Sequence, residues 1–230
     1  MSKINQMCIL AGGKGKRLMP YTALKPKTLI NVAGKPFLEL LIDQALKSGI
    51  KKILILAGYK GKILKQYVEK IKIKRKINIE IIINKVNLST IQRLSVNKNK
   101  LDDHFILNYS DSYIFFNLRN YLKKNIRGIN FLLKNANKTN ENGNIKLQNK
   151  KIISYSKDKN DNQHQYLELG YMLINKSILD KSYKEMSHLF NDVIKSRRAT
   201  FDITNGKYLS ITDIISVKKT TKFLLKKNEK

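Results

Sequence analysis

The stretch that decides the fold lies near the start of the chain and reads Cys8-Ile-Leu-Ala-Gly-Gly-Lys-Gly-Lys-Arg-Leu18. A short apolar run, Met7–Ala11, ends abruptly in glycines, which predicts a central parallel strand followed by a tight turn. Glycine has no Cβ, so this backbone can approach a ligand closely. The cationic side chains that follow at once predict a site for a phosphate chain. A simple strand-to-helix turn is the alternative, because the glycine spacing fits neither a Walker loop nor a dinucleotide fingerprint.

A second basic segment, Lys25-Pro-Lys-Thr-Leu29, follows shortly afterwards. Proline stiffens this segment, so Lys27 is presented from a restrained backbone and is a candidate for holding a phosphate oxygen. Arg17 is the candidate clamp for pyrophosphate, because a guanidinium grips phosphate oxygens in a fork. For Lys14 and Lys16 the sequence leaves open whether they contact phosphate or are solvated loop lysines.

Strand and helix patterns alternate along the first half of the chain. The predicted strands of the whole chain are Met7–Ala11, Lys51–Ala57, Asn78–Ile83, His104–Tyr109, Asn130–Leu133, Lys151–Tyr155, Glu168–Ile174 and Tyr208–Ile211, with Thr28–Val32 as a brief extended piece. The predicted helices are Pro36–Ser48, Gly61–Ile71, Leu88–Leu101, Leu118–Lys124, Leu179–Lys195 and Val217–Lys227. This rhythm predicts an α/β fold with a doubly wound, Rossmann-like, mostly parallel (mixed) sheet in a single domain, residues 1–230. Ligands of such sheets bind at the carboxyl ends of the strands, where Gly12–Arg17 and Gly58-Tyr59 both fall.

Leu10 to Leu29 resembles the signature of the sugar-phosphate nucleotidyltransferases, roughly L-A-G-G-x-G-T-R-L-x-P-x-T-x-x-x-P-K-x-L, with Lys16 in place of the family's threonine. The match is clearest over the first sixty residues. It points to the short, single-domain enzymes of the heptose- and hexose-1-phosphate guanylyltransferase type. The resemblance implies a GT-A-like sheet, an NTP and a sugar 1-phosphate as substrates, pyrophosphate as product and Mg²⁺ as cofactor.

The resemblance also implies roles for individual residues. Arg17 and Lys27 match the family's catalytic cations. With the topology, the resemblance implies substrate contacts at Leu10, Ala11, Gly12, Gly13, Gly15, Lys16, Gly58, Tyr59, Thr90, Glu168 and Gly170. Where the family has Leu-Gly-Thr-Gly-Gly-Ala, the segment Asn87–Leu94 keeps Thr90 but lacks the glycines, which leaves the base undetermined. Arg93 in this segment is expected to contact phosphate or sugar, or to lie on a helix surface.

Two aspartates are the candidate metal ligands. Asp111 follows the strand His104–Tyr109 and would face the crevice of the glycine loop, although Ser110 replaces the family's preceding glycine. An Asx turn or helix cap is its alternative role. The family's second aspartate aligns with Ser210, so Asp213 is either a displaced second ligand or a helix N-cap.

Lysine and arginine outnumber acidic residues by 46 to 17, which gives a formal net charge of +29. Such a charge suits a nucleic-acid or anionic-membrane partner, but the lysines are scattered and no nucleic-acid-binding signature occurs. We therefore attribute the excess of lysine to AT-rich coding, which also favours Asn and Ile, and expect no specific nucleic-acid partner. The single cysteine, Cys8, suits a buried strand position. No apolar run is long enough for membrane insertion and no signal-peptide pattern occurs, so the cytoplasm is the expected compartment. The sequence does not fix the oligomeric state, and a homo-oligomer is compatible with it.

Two rival functions remain open at this stage. One keeps the chemistry but changes the acceptor, as in a CTP-dependent cytidylyltransferase that acts on a phosphorylated alcohol, amine or phosphonate. The other is a degenerate homologue that binds nucleotide or an anionic polymer without turnover, which Ser110, Ser210 and the lost glycine motif would suit.

Overall fold

The computed structural model describes residues 4–75, 77–139, 141–158, 163–179 and 182–228. Within these ranges the strands are β1 (Gln6–Ala11), β2 (Asn31–Val32), β3 (Lys35–Pro36), β4 (Lys52–Ala57), β5 (Ile79–Ile83), β6 (His104–Tyr109), β7 (Ser112–Ile114), β8 (Ile129–Asn135), β9 (Ile145–Gln148), β10 (Lys151–Tyr155), β11 (Tyr166–Asn175), β12 (Ala199–Ile203) and β13 (Tyr208–Ser210). The α-helices are α1 (Tyr21–Leu24), α2 (Phe37–Lys47), α3 (Gly61–Arg75), α4 (Thr90–Val96), α5 (Leu118–Tyr121), α6 (Met186–Lys195) and α7 (Ile214–Asn228).

The centre of the main sheet is parallel, as the sequence predicts. β1 lies between β4 and β6, and β5 extends this parallel set beyond β4. Beyond β6 the order continues with the antiparallel strand β11, then β8, then β12 parallel to β8. The hairpin of β9 and β10 joins at the start of β11. The result is a mixed, doubly wound sheet in which the carboxyl ends of β1, β4 and β6 share one edge.

Alternate residues of the strands face opposite sides of this sheet and build two cores. Met7 and Ile9 belong to the core that contains α2 and α3, whereas Cys8 belongs to the core that contains α4 and α6. Cys8 is fully buried, and this burial raises the pKa of its thiol far above the usual value. It is therefore a packing residue, as expected. None of the described helices combines the length and the apolar character that a membrane crossing requires.

Three predicted elements differ from the structure. The helix expected over Leu88–Leu101 is confined to α4, because Ser89 caps its start in a reciprocal pair with Gln92 and the chain then turns into a 3₁₀ segment, Lys98–Lys100. The extended piece expected over Thr28–Val32 starts as a 3₁₀ turn, since the N–H of Leu29 bonds back to the carbonyl of Pro26.

The helix expected over Leu179–Lys195 begins at Met186, and residues 180 and 181 of that prediction lie outside the described part of the chain. The sequence patterns also missed β7 and β12.

Candidate active site

A cleft of about 620 Å³ opens at the carboxyl edge of the parallel strands; we call it the nucleotide cleft. Ten of the predicted site residues line it: Leu10, Ala11, Gly12, Gly13, Gly15, Lys16, Arg17, Lys27, Thr90 and Asp111. The others, which do not line it, are Gly58, Tyr59, Glu168, Gly170 and Asp213. The segment of chain that precedes residue 30 therefore supplies most of the cleft.

Lys27 and Asp111 meet in this cleft across 84 residues of sequence. The Nζ of Lys27 donates to Oδ2 of Asp111 at 2.6 Å, and Ser112 Oγ donates to the other oxygen at 3.1 Å. Both side chains are largely shielded from solvent, with exposures of 16% and 27%. The 3₁₀ turn after Pro26 places the lysine, and the end of β6 places the carboxylate. The predicted phosphate-binding cation and the predicted metal ligand are thus direct neighbours.

The rest of the cleft wall is strongly cationic. Lys14, Lys16, Arg17 and Arg93 line it together with Lys27, whereas Asp111 is the carboxylate among its described lining residues. Thr28 also lines it, and its buried hydroxyl has no hydrogen-bond partner among the described residues. A concave, cationic wall with an unsatisfied hydroxyl suits a polyphosphate ligand. We did not predict Thr28 from the sequence, although it directly follows Lys27 in the basic segment.

The three glycines of the loop, Gly12, Gly13 and Gly15, each have a different structural reason for lacking a side chain. A Cβ on Gly13 would meet no heavy atom within 4 Å, so this position faces open space. Gly15 has a φ of +62°, and a Cβ there would lie 2.9 Å from Cγ2 of Thr22. The turn therefore needs Gly15, whereas Gly13 leaves room for a ligand.

Gly12 leaves room for Arg93, which lies directly behind the loop. A Cβ on Gly12 would lie 2.3 Å from Arg93 Nε, and one on Gly58 would lie 2.8 Å from Arg93 Nη2. Arg93 is only 3% exposed. Its guanidinium donates to the carbonyl of Ala57 at 2.9 Å and, beyond β5, to those of Lys85 at 3.0 Å and Leu88 at 3.2 Å.

Arg93 therefore links α4 to the end of β4 and to the segment that follows β5, and it packs behind Gly12. Burial lowers the pKa of its guanidinium from the usual value, but arginine stays protonated in proteins. The helix-surface alternative for Arg93 is wrong, because its side chain is buried and its N–H groups donate to backbone carbonyls.

Gly58 and Tyr59 follow β4 and lie next to the glycine loop, on the side of Gly12. The N–H of Tyr59 donates to the carbonyl of Gly12 at 3.1 Å, and the Tyr59 hydroxyl donates to the carbonyl of Thr22 at 3.3 Å. Tyr59 thus holds the backbone of the glycine loop at Gly12, while a direct contact of Gly58 or Tyr59 with substrate stays a prediction.

Glu168 and Gly170 lie in an irregular stretch of β11, next to the end of the neighbouring strand β6. Gly170 has a φ of +74°, and a Cβ there would lie 3.0 Å from the ring of Tyr109. Glu168 is 7% exposed and accepts a hydrogen bond from the N–H of Gly170. Burial raises the pKa of Glu168 to about 8; the Gly170 N–H opposes this rise, and the carboxylates of Asp111 and Glu141 add to it. At neutral pH this carboxyl is therefore mostly protonated.

Asp213 caps α7. Its Oδ1 accepts from the N–H of Ser216 at 2.8 Å, and this bond is the main cause that lowers the pKa of Asp213, with the charge of Arg17 as a smaller one. Asp213 lines a second cleft, which shares Thr212 with the nucleotide cleft. The helix-cap role that the sequence left open is thus present, and a metal-binding role stays a prediction.

A family model described as nucleotidyl transferase matches residues 6–205. The chain belongs to this family. A D-glycero-alpha-D-manno-heptose 1-phosphate guanylyltransferase of Campylobacter jejuni is 28% identical over 210 residues, which cover 86% of this chain and 91% of that protein. A UTP–glucose-1-phosphate uridylyltransferase of Haloferax volcanii is 31% identical over 119 residues, which cover 52% of this chain and 48% of that protein.

Among solved structures, the inositol-1-phosphate CTP transferase from T. maritima superposes with a TM-score of 0.79 at 17% identity, over 94% of this chain and 92% of that chain. At this identity the likeness shows the fold. Several of the curated relatives are matched over only part of their length. The matched region covers 48% of the Haloferax protein and 23% of a glucose-1-phosphate cytidylyltransferase of Salmonella typhimurium.

Whether this member of the nucleotidyl transferase family can hold Mg²⁺ depends on which of its side chains can act as ligands. Among the described residues, no three His, Cys, Asp or Glu side chains come together in a metal-binding group. Mg²⁺ bound with a nucleotide needs one or two carboxylates, since phosphates and waters supply the remaining ligands. Asp111 provides such a carboxylate in the nucleotide cleft, so the residues present fit a metal that arrives with its nucleotide.

Proposed function

We propose that this protein transfers the nucleotidyl group of an NTP to a sugar 1-phosphate and releases pyrophosphate. The observation that carries the proposal is the contact of Lys27 with Asp111 inside a cationic cleft whose glycine-rich wall leaves space at Gly13. The family membership supports the same chemistry. The named relatives use different nucleotides, a guanylyl and a uridylyl group among them, so the base stays open.

The reaction needs positioned charges rather than a nucleophilic side chain. An oxygen of the acceptor phosphate forms a bond to the α-phosphorus, and the bond from that phosphorus to the leaving pyrophosphate oxygen breaks. The acceptor phosphate is already an anion, so no general base is required. Arg17 and the loop lysines would hold the leaving pyrophosphate, and Lys27 would hold an oxygen of the reacting phosphoryl group.

Asp111 would hold Mg²⁺, which supplies charge neutralisation on the triphosphate. Because Lys27 now shares the Oδ2 atom of Asp111, we expect its ammonium to turn towards the α-phosphate when nucleotide binds. The neutral Thr28 hydroxyl can donate to a phosphate oxygen on the same side. Glu168, protonated at neutral pH, is suited to donate to a sugar hydroxyl from beneath the cleft.

Pyrophosphate release tests the proposal directly. The purified protein is incubated with MgCl₂ and each of the four NTPs, against a panel of hexose and heptose 1-phosphates and of phosphorylated alcohols. We expect turnover with at least one pair, and a fall in kcat of about 10²-fold for Lys27→Met, typical of one lost transition-state donor. The KM for NTP should change little, because the contact of Lys27 with bound nucleotide replaces its ion pair with Asp111, so that little net ground-state binding is lost.

Lys65→Met, an exposed site on α3, is the matched control and should retain wild-type kcat. Turnover confined to CTP and a phosphorylated alcohol would select the cytidylyltransferase alternative. Folded protein that binds NTP but stays silent across the panel would contradict the proposed function.

A further inference from the structure

The second cleft, of about 760 Å³, is lined by four lysines that the proposed function leaves unused. They are Lys134, Lys138, Lys207 and Lys219; we call this site the lysine cleft. It is bordered by the segment after β8, by the loop between β12 and β13, and by α7. It touches the nucleotide cleft at Thr212.

Lys134 lines this cleft and is only 5% exposed. Its Nζ donates to the carbonyl of Gly206 at 2.9 Å, which is a neutral acceptor. Buried ammonium groups are normally paired with a carboxylate, because desolvation of an unpaired charge is costly. Within the described part of the chain, none of the four lysines forms an ion pair with a carboxylate.

The neighbours of Lys134 are themselves cations. Lys138 and Lys207 line the same cleft as Lys134. Desolvation lowers the pKa of Lys134, and the charges of Lys138 and Lys207 lower it further. The two carboxylates in the lining, Glu141 and Asp213, accept hydrogen bonds from other lining residues and pair with none of the four lysines. Glu141 accepts from the Tyr208 hydroxyl at 3.3 Å, and Asp213 caps α7.

We propose that the lysine cleft binds an anionic group of the phosphate class carried by a small molecule. Such a group would accept from Lys134, Lys138 and Lys207 at once and relieve their mutual repulsion. The volume suits a ligand of the size of a sugar phosphate. The anion has two sources: a second phosphate on the sugar acceptor, which rests on the proposed function, or a separate phosphorylated ligand, which does not.

Calorimetric titration with inorganic phosphate tests the site without any need for turnover. We expect Lys138→Gln/Lys207→Gln to weaken one class of phosphate sites at least tenfold. The matched double variant Lys65→Gln/Lys70→Gln removes the same charge from exposed positions of α3 and should bind within twofold of wild type. Equal losses in both double variants, or none in either, would overturn the proposal. Crystals soaked in selenate give a direct check: anomalous density beside Lys134 Nζ is expected, and density confined to the nucleotide cleft would contradict the site.

Kinetics then separate the two sources. If the acceptor carries the anion, a hexose 1,6-bisphosphate has a kcat/KM at least tenfold above that of the hexose 1-phosphate, and the Lys138→Gln/Lys207→Gln variant loses this preference. If a separate ligand carries it, the preference is absent and inorganic phosphate changes the rate with hexose 1-phosphate. Should no NTP react at all, the titration and the soak still decide the lysine cleft, so its failure is distinguishable from that of the proposed function.

Discussion

Gly13 offers the cleanest residue-level test of backbone approach to the ligand. Gly13→Ala adds a methyl group where the protein itself places no atom within 4 Å. We expect the melting temperature to stay within about 2 °C of wild type, as for a surface change. Turnover should fall at least tenfold, because the methyl group occupies the space of a phosphate oxygen. Unchanged steady-state kinetics would show that the substrate does not approach this part of the loop.

Glu168 makes stability depend on pH. The folded protein holds the pKa of this carboxyl at about 8, against 4.5 for the ordinary value, so between these values the folded state binds a proton that the unfolded state releases. The stabilisation is complete below about pH 4.5 and is lost as pH rises towards 8, by at most about 1.4 kcal/mol per pH unit. Glu168→Gln mimics the neutral form and should escape this loss.

Chemical denaturation from about pH 5 to pH 8.5 measures the difference. The free energy of unfolding of wild type, relative to Glu168→Gln, is expected to decline by a few kcal/mol across this range. Parallel curves for the two proteins would show that Glu168 is ionised in the folded state.

At the scale of elements, Arg93 links α4 to the end of β4 and packs behind the glycine loop at Gly12. Gly12→Ala should lower the free energy of unfolding by about 1–3 kcal/mol, because its Cβ would overlap the guanidinium. In an Arg93→Ala background the same change should cost little, which gives a coupling energy of at least about 1 kcal/mol in a double-mutant cycle.

Two controls belong to this cycle. Gly13→Ala should cost little in either background. Gly58→Ala should stay costly in both, because its Cβ would also lie 2.7 Å from the carbonyl oxygen of Gly12, which Arg93→Ala does not remove. A Gly12→Ala penalty that is the same in both backgrounds would mean that Arg93 is not the obstacle.

The elements that the sequence predicted well are those whose apolar pattern is long and local. β1, β4 and β6 are buried on both faces and read as continuous apolar runs. β12 escaped prediction because Ala199–Ile203 is mixed in polarity and is stabilised by pairing with β8, some 70 residues away. β7 is three residues long and depends on its pairing with β13. Pairing partners of that kind are not encoded in a local window.

The candidate site shows the same division. Lys27 and Asp111 were both candidates from the sequence, since each belongs to a local motif, and the structure brings them into contact. The hydrogen bonds of Arg93 were not predictable, because they depend on carbonyl groups at the end of β4 and in the segment after β5. Thr28 was missed because a hydroxyl becomes informative only when its lack of a partner is visible.

At the scale of the whole molecule, the net charge of +29 should govern how the anionic substrates arrive. Raising NaCl from about 50 mM to about 500 mM shortens the Debye length and screens this attraction. We expect kcat/KM for NTP to fall at least fivefold, mostly through KM, while kcat changes by less than about twofold. The melting temperature over the same series is the control for loss of fold. A kcat/KM that is independent of salt would show that the excess lysines do not steer substrate.

The central place of β1 in the sheet has a consequence for synthesis on the ribosome. Residues 6–11 are made early, but their second neighbour, β6, ends at Tyr109. At about 5–20 residues per second, this apolar strand waits roughly 5–20 s before both of its edges are paired. Lys14, Lys16 and Arg17 follow within six residues of the end of β1, and charged residues that flank an apolar strand limit its aggregation. The same cations that line the cleft in the folded protein are thus placed to limit aggregation of the chain while it is being made.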